Sequence, residues 1–221
     1  MPEGRLAIAS RRYSSWSMRG WLAVQLAGLD VEVILLPVSG TGRTEAIEAV
    51  SPSGLVPYLE HRDVRIWESL AIIEYCAEIF PPLWPAEREA RAHARAISAE
   101  MHAGFRALRE AMPMNLGRAD FAGRGQSQGA LADIARIERI WRETRDAFGA
   151  DGPYLFGATF GGADVMYAPV VTRLLTYAPP IAADTRAYCD AVRTHPLVEA
   201  WYKAVPREPA AWRVEAYENP T

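Results

Sequence analysis

Cysteine is scarce. Cys76 and Cys189 are the only two, far apart in the chain and each inside a helix-like pattern. Neither a disulfide framework nor a CxxC pair for metal or redox work can be built from them, so sulfur chemistry would have to borrow its thiol. Histidine is also sparse, and His61, His93, His102 and His195 show no HxH or HExxH spacing, so no metal is expected. No apolar run approaches the roughly 18 residues of a membrane-spanning helix. The opening "MPEGRLAIAS" lacks a basic stretch followed by a long apolar one. A cytoplasmic protein with no membrane partner is the expectation. Lys and Arg total 24 against 27 for Asp and Glu, a net charge of −3, which gives no general attraction to nucleic acid. Internal repeats and low-complexity tracts are absent as well.

What is there is apolar residue in quantity, half of the 221 positions, enough for real cores. "RLAIA" at 5–9 and "VEVILL" at 31–36 read as strands. The helical pattern "MRGWLAVQLAGL" lies between them, with Gly28 placed to end it. "TEAIEAV" at 44–50 predicts a short helix, "LVPYLE" and "DVRIW" a hairpin about "HRD", and "SLAIIEYCAEIF" another helix. A βαβ crossover makes the first strands parallel and the hairpin adds an antiparallel pair, so residues 1–80 predict one small α/β domain. "PPLWP" at 81–85 stops the helical pattern and marks a linker. Beyond it, over 86–221, strand signals disappear and an all-α domain is expected. Ala90, Ala94, Ile97, Met101, Phe105, Leu108 and Met112 form one stripe, which predicts a single helix of more than 25 residues. Ile134, Ile137, Trp141 and Phe148 repeat the pattern, and shorter helices follow at about 162–176, 184–194 and 197–204.

Three places carry candidate chemistry. "SSWS", with Ser14, Ser15 and Ser17, occupies a strand-to-helix turn, where unpaired N–H groups and the helix dipole favour an anion. Taken alone, the cluster is equally a helix cap. Pro57, directly before a strand, is an edge proline or follows a cis bond that turns the Val56 backbone toward a peptide-like ligand. Glu68 and Ser69 open the next helix, as a cap or as partners for an ammonium and a carboxylate.

Taken in order, "YSSWSMRGWLA", "SPSGLVP" and "WESLAIIEY" resemble the serine motif, cis-proline loop and glutamyl-binding helix of glutathione transferases, in the manner of the serine-type bacterial zeta-like and theta-like members. "FGGADVMYAP" resembles the capping box of the family's buried sixth helix, in which Asp164 at N3 accepts from the Gly161 N–H. The resemblance spans nearly the whole chain. It implies a thioredoxin-like domain followed by an all-α domain, glutathione as cosubstrate, a small electrophilic substrate and a homodimer. It implies Ser14, with Ser15 next to it, as the donor to the glutathione sulfur, and Val56, Pro57, Glu68 and Ser69 as glutathione contacts. Tyr13, Trp16, His102, Arg109, Met112 and Asn115 are the candidate surfaces for the second substrate, with Arg106 beside them. Two positions depart from the family pattern: Leu55 stands where many relatives carry lysine, and Gly161 where they carry Ser or Thr. Conjugation is one implied activity and a glutathione-dependent cis–trans isomerisation of the maleylacetoacetate type is another. A non-catalytic ligand carrier with the same fold is a third reading.

Overall fold

A computed structural model describes residues 1–38 and 44–219. Strand β1 (Gly4–Ala9) leads into helix α1 (Ser15–Leu26), β2 (Glu32–Leu36) and the short α2 (Glu45–Glu48). The hairpin β3 (Tyr58–His61) and β4 (Val64–Trp67) precedes α3 (Ser69–Ile79). The sheet order is β2-β1-β3-β4, with β1 parallel to β2 and antiparallel to β3, as the crossover and hairpin require. Gly28 takes a left-handed φ of 65° just past α1, and its N–H bonds to the Gln25 carbonyl. Helices α1 and α3 pack against each other.

After a turn of 3-10 helix at Pro81–Leu83 come α4 (Arg88–Ala103), α5 (Arg106–Ala111), α6 (Gln128–Phe148), α7 (Gly162–Tyr177), α8 (Ala183–Thr194) and α9 (Pro196–Ala204). The single long helix expected from the stripe is therefore two. Gly104 is extended and Phe105 left-handed at φ 60°, which ends α4 and starts α5. Met101, Phe105 and Leu108 stay buried across the break, so the apolar period continues although the helix does not. Arg109 closes the gap: its Nε donates to the Gly104 carbonyl at 3.0 Å and its Nη2 to the Met101 carbonyl, two of the acceptors left over at the end of α4. At the start of α5, Asp133 of α6 accepts from the Leu108 N–H at 2.9 Å.

The core centres on α7, whose residues 162–174 are all buried and which packs on α1, α4 and α8. Among the described residues no helix is long and apolar enough to cross a membrane. The start of α7 is held as its sequence predicts, because Asp164 Oδ2 accepts from the Gly161 N–H at 2.9 Å. Asp164 Oδ1 takes two more donors, the Leu155 N–H at 3.1 Å and the Tyr188 hydroxyl at 2.9 Å. Complete burial pushes this carboxyl up to about 6 in spite of its three donors. The unfolded chain ionises it near the usual 3.9, so between about pH 4 and 6 the folded state binds the extra proton and loses stability as the pH rises.

Asp164→Ala leaves three donors unpaired and should lower unfolding free energy by about 2–4 kcal/mol at neutral pH. The gap between parent and variant should be wider at pH 4 than at pH 7. Urea denaturation at both values is the check, and equal midpoints would show that packing alone holds this helix start.

Candidate functional site

The turn from β1 into α1 sets the site. Ser14 is the N-cap of α1: its Oγ accepts from the Ser17 N–H at 3.2 Å and donates to Ser17 Oγ at 2.8 Å. Ser17 Oγ in turn accepts from the Ala9 N–H at 3.0 Å, which ties the turn to the strand. The Ser14 hydroxyl proton is thus committed to the cap. Ser15, the first residue of the helix, is buried, and its Oγ accepts from Arg173 Nη2 at 3.4 Å. That contact leaves the Ser15 proton free to donate, beside the positive end of α1.

Arg173 reaches this point from the middle of α7. Its Nε bonds to the Met112 carbonyl at 2.9 Å and its Nη1 to the Pro169 carbonyl at 3.0 Å, and among the described residues no carboxylate pairs with it. Burial, with the Arg109 guanidinium nearby, brings it down to about 9, still protonated at neutral pH. The Trp16 ring contacts two further cations, with Arg19 4.8 Å and Arg109 4.6 Å from its centroid. Arg19 is fully buried; its Nε donates to the Met166 carbonyl at 2.7 Å, while Nη1 and Nη2 have no hydrogen-bond partner among the described residues. The cleft of about 320 Å³ beside them is lined by Tyr13, Ser14, Ser15, Trp16, Arg109, Arg173 and Tyr217, with Leu55, Val56, Pro113 and Met114. Val38 also lines it, and among the described residues of the wall none is acidic.

Trp16, Leu55 and Val56 also bound a second cleft, of about 390 Å³. Pro57, Glu68, Ser69 and His102 form its other walls. The Val56–Pro57 bond is cis. Gly20 of α1 makes room for the proline, since a Cβ there would lie 2.8 Å from Pro57 Cβ and Cγ. Glu68 sits at φ 70°, a left-handed conformation costing on the order of 1–3 kcal/mol for a non-glycine residue. Ser69 Oγ is buried and has no hydrogen-bond partner among the described residues. From α4, His102 brings Nε2 within 3.6 Å of Glu68 Oε2 and sets its ring 5.2 Å from that of Trp16. Burial lowers the imidazole pKa, Glu68 opposes the shift, and Arg19 and Arg109 reinforce it. Its Nδ1 is buried and has no hydrogen-bond partner among the described residues.

Ser14, Ser15, Val56, Pro57, Glu68, Ser69, Tyr13, Trp16, His102 and Arg109 therefore come together around two joined clefts. Two sequence candidates do not. Met112 is fully buried in the core. Asn115 is buried, its amide donating to the Tyr217 carbonyl and Glu218 and its Oδ1 accepting from the Gly117 N–H. Arg106 is exposed and paired with Glu110. Sequence reasoning passed over Arg19, Arg173 and Tyr217. An arginine inside the apolar run "APVVTRLLTY" was the available signal, because a charge is rarely buried without a task. A larger groove, about 630 Å³, runs along Pro81–Ala86. Several of its polar groups pair with one another or with the backbone, Glu74 with Trp84 and Arg95 and Arg91 with two carbonyls. Among the described residues no three His, Cys, Asp or Glu side chains gather as a metal-binding group.

A family model described as the glutathione S-transferase N-terminal domain matches residues 13–79, and the corresponding C-terminal domain model matches residues 88–204. The chain is 28% identical over 176 residues to the maleylacetoacetate isomerase of Rattus norvegicus, covering 77% of this chain and 79% of that protein. It is 28% identical over 166 residues to a probable maleylacetoacetate isomerase of Caenorhabditis elegans, covering 73% and 74%. Its fold is similar to that of a glutathione transferase homolog from Burkholderia crystallised with glutathione, at a TM-score of 0.68 and 22% identity over 93% of this chain and 99% of the other. A theta class glutathione S-transferase from Xanthomonas axonopodis pv. citri, also with glutathione bound, gives a TM-score of 0.65 at 20% identity, covering 91% and 98%.

Gly20→Ala forces the Pro57 ring aside and should cost about 1–3 kcal/mol of stability. Thermal unfolding measures it, and an unchanged midpoint would mean that the loop yields freely.

Proposed function

Because the chain belongs to the glutathione S-transferase family, we propose that it binds glutathione along the Val56–Ser69 wall, holds the sulfur as thiolate at Ser15, and acts on a small acidic electrophile in the manner of maleylacetoacetate isomerases. The buried orphan hydroxyl of Ser69 supports the first element, since a ligand carboxylate supplies the acceptor it lacks. Val56, turned by the cis bond, offers its backbone to the cysteinyl unit, and Glu68 beside Ser69 offers a carboxylate to the glutamyl ammonium. Glutathione supplies a sulfur nucleophile that adds to a conjugated double bond and is released again.

A free thiol of pKa about 8.5 is only a few per cent ionised at pH 7. Lowering it by about two units makes it mostly thiolate and takes about 2.7 kcal/mol. A hydroxyl donor and a helix N-terminus are together sufficient. The Ser15–Arg173 contact carries this reading. The guanidinium withdraws charge from the hydroxyl oxygen and sharpens it as a donor, whereas the Ser14 proton is already spent on Ser17. Arg173 and Arg109, with no acid among the described residues of the cleft wall, also favour a carboxylate-bearing substrate over a neutral one. The isomerase names of the curated relatives point the same way. Relatives with a lysine at the Leu55 position carry a charge that this chain replaces with an exposed apolar side chain, so here the cations sit on the substrate side.

With saturating glutathione, Ser15→Ala should reduce turnover of maleylacetoacetate roughly ten- to a hundredfold while the glutathione dissociation constant changes by less than about twofold. Ser14→Ala should cost about 1 kcal/mol of stability through the lost cap and leave turnover within a few fold. The reverse ordering would transfer the role to Ser14. Equal rates in parent and both variants would overturn hydroxyl activation, and faster turnover of chlorodinitrobenzene than of the acid would overturn the substrate class.

A further inference from the structure

A separate cleft, of about 310 Å³, opens on the helical domain between the C-terminal part of α6 and the start of α8. It shares no lining residue with the two joined clefts. Its volume is within the range of small-molecule sites. Two of its charges are already matched: Arg142 Nε donates to Asp184 Oδ2 at 3.0 Å, across the gap between the helices. Asp184 Oδ1 accepts from the Thr185 N–H at 2.9 Å. Further along α6, Arg145 and Asp146 line the same cleft, and among the described residues neither side chain has a hydrogen bond or an ion pair. Arg145 is half-buried, with its guanidinium 5.9 Å from the centroid of the Tyr188 ring, and Asp146 is exposed.

Two aromatic rings line the cleft as well, Trp141 and Tyr188, with centroids 4.6 Å apart. Trp141 is 2% exposed, and its Nε1 is buried with no hydrogen-bond partner among the described residues. An indole nitrogen can only donate, so the partner it lacks is an acceptor. Helix α8 starts beside it without a side-chain cap, because its N-cap residue is Ala182, and the first-turn residues Asp184 and Thr185 are part of the cleft wall. The peptide dipoles at that end add positive potential. The unspent groups are therefore two donors suited to a carboxylate, the Trp141 N–H and the Arg145 guanidinium, and one carboxylate suited to an ammonium, that of Asp146. A simple anion would be repelled by Asp146 and a simple cation by Arg145, whereas a small molecule carrying both signs meets a partner for each. Gly149, Ala150 and Gly152 complete the lining with no polar side chain, which suits an apolar substituent.

We propose that this cleft binds a free α-amino acid with an apolar side chain, its carboxylate held by the Trp141 Nε1–H and the Arg145 guanidinium and its ammonium by Asp146. The site stands apart from the joined clefts and does not depend on their reading as a glutathione site.

Equilibrium dialysis of the full chain against radiolabelled L-leucine tests it, with glutathione in excess so that the Val56–Ser69 wall takes up no amino acid. A dissociation constant of about 0.1–1 mM is expected for a ligand of this size. Two competitors divide the ligand: 4-methylpentanoate is leucine without its ammonium, and 3-methylbutylamine is leucine without its carboxylate. Each should compete at least about tenfold more weakly than unlabelled leucine. Arg145→Gln should weaken leucine roughly tenfold, and Asp146→Asn roughly three- to tenfold; both side chains reach solvent, so the fold tolerates these changes. Trp141→Phe, which keeps a ring and removes the N–H, should weaken it severalfold. No leucine bound by the parent, or unchanged binding in both Arg145→Gln and Asp146→Asn, would overturn the site. Competition by 4-methylpentanoate equal to that by leucine would make the cleft a plain anion site and overturn the amino-acid class. Unchanged binding in Trp141→Phe would overturn the carboxylate partners assigned to it.

Discussion

The contact between Arg173 and Ser15 joins the two halves of the molecule at the point where its chemistry is read. A guanidinium this deeply buried is costly unless its donors are used, and Arg173 spends them on two carbonyls and one hydroxyl instead of a carboxylate. The positive charge therefore stays unneutralised inside the cleft. Helix α7 must be rigid to hold it there, which the triply bonded Asp164 at its start and apolar packing along its length provide. The burial that makes α7 the axis of the helical domain is also what makes its one arginine electrostatically strong.

On the other side of the cleft, α1 carries two tasks on adjacent residues. Ser14 closes the helix and Ser15 lines the cleft beside Arg173, so a one-residue shift in the helix start would exchange the capping hydroxyl for the one that meets the guanidinium. The chain fixes that register from both directions: Ser17 ties the cap to β1, and Glu208 and Glu218 grip the preceding residues from the far end of the sequence. The Arg19 and Arg109 guanidiniums both approach the Trp16 ring, whose quadrupole supplies an attraction that offsets part of their mutual repulsion. Arg109 is locked by the broken end of α4, so the interruption at Gly104 and Phe105 serves the site as well as the fold.

Features set by local chemistry were legible in the sequence. The strand, helix and hairpin order, the Gly28 stop and the N3 role of Asp164 each follow from a few neighbouring residues, whereas the cis bond before Pro57 was implied only by the family resemblance, because a proline ahead of a strand equally suits an edge. The break between α4 and α5 was not legible, because Phe105 and Leu108 keep the helical period while the backbone departs from it. Met112 and Asn115 sit on the right stretch of chain, but that break turns them into the core and toward the C-terminal segment. Arg173 lies 158 residues beyond Ser15, and only tertiary packing brings them together. The choice between Ser14 and Ser15 likewise depends on where protons are already spent, which spacing does not encode.

The central claim is electrostatic: a Ser15 hydroxyl backed by Arg173, at the start of α1, holds the sulfur of bound glutathione as an anion. Ultraviolet absorbance of the thiolate, followed against pH with the protein in excess over glutathione, measures it directly. The account predicts half-ionisation about two pH units below that of the free thiol, whose pKa is about 8.5. Titration of the bound thiol at its free value would contradict it.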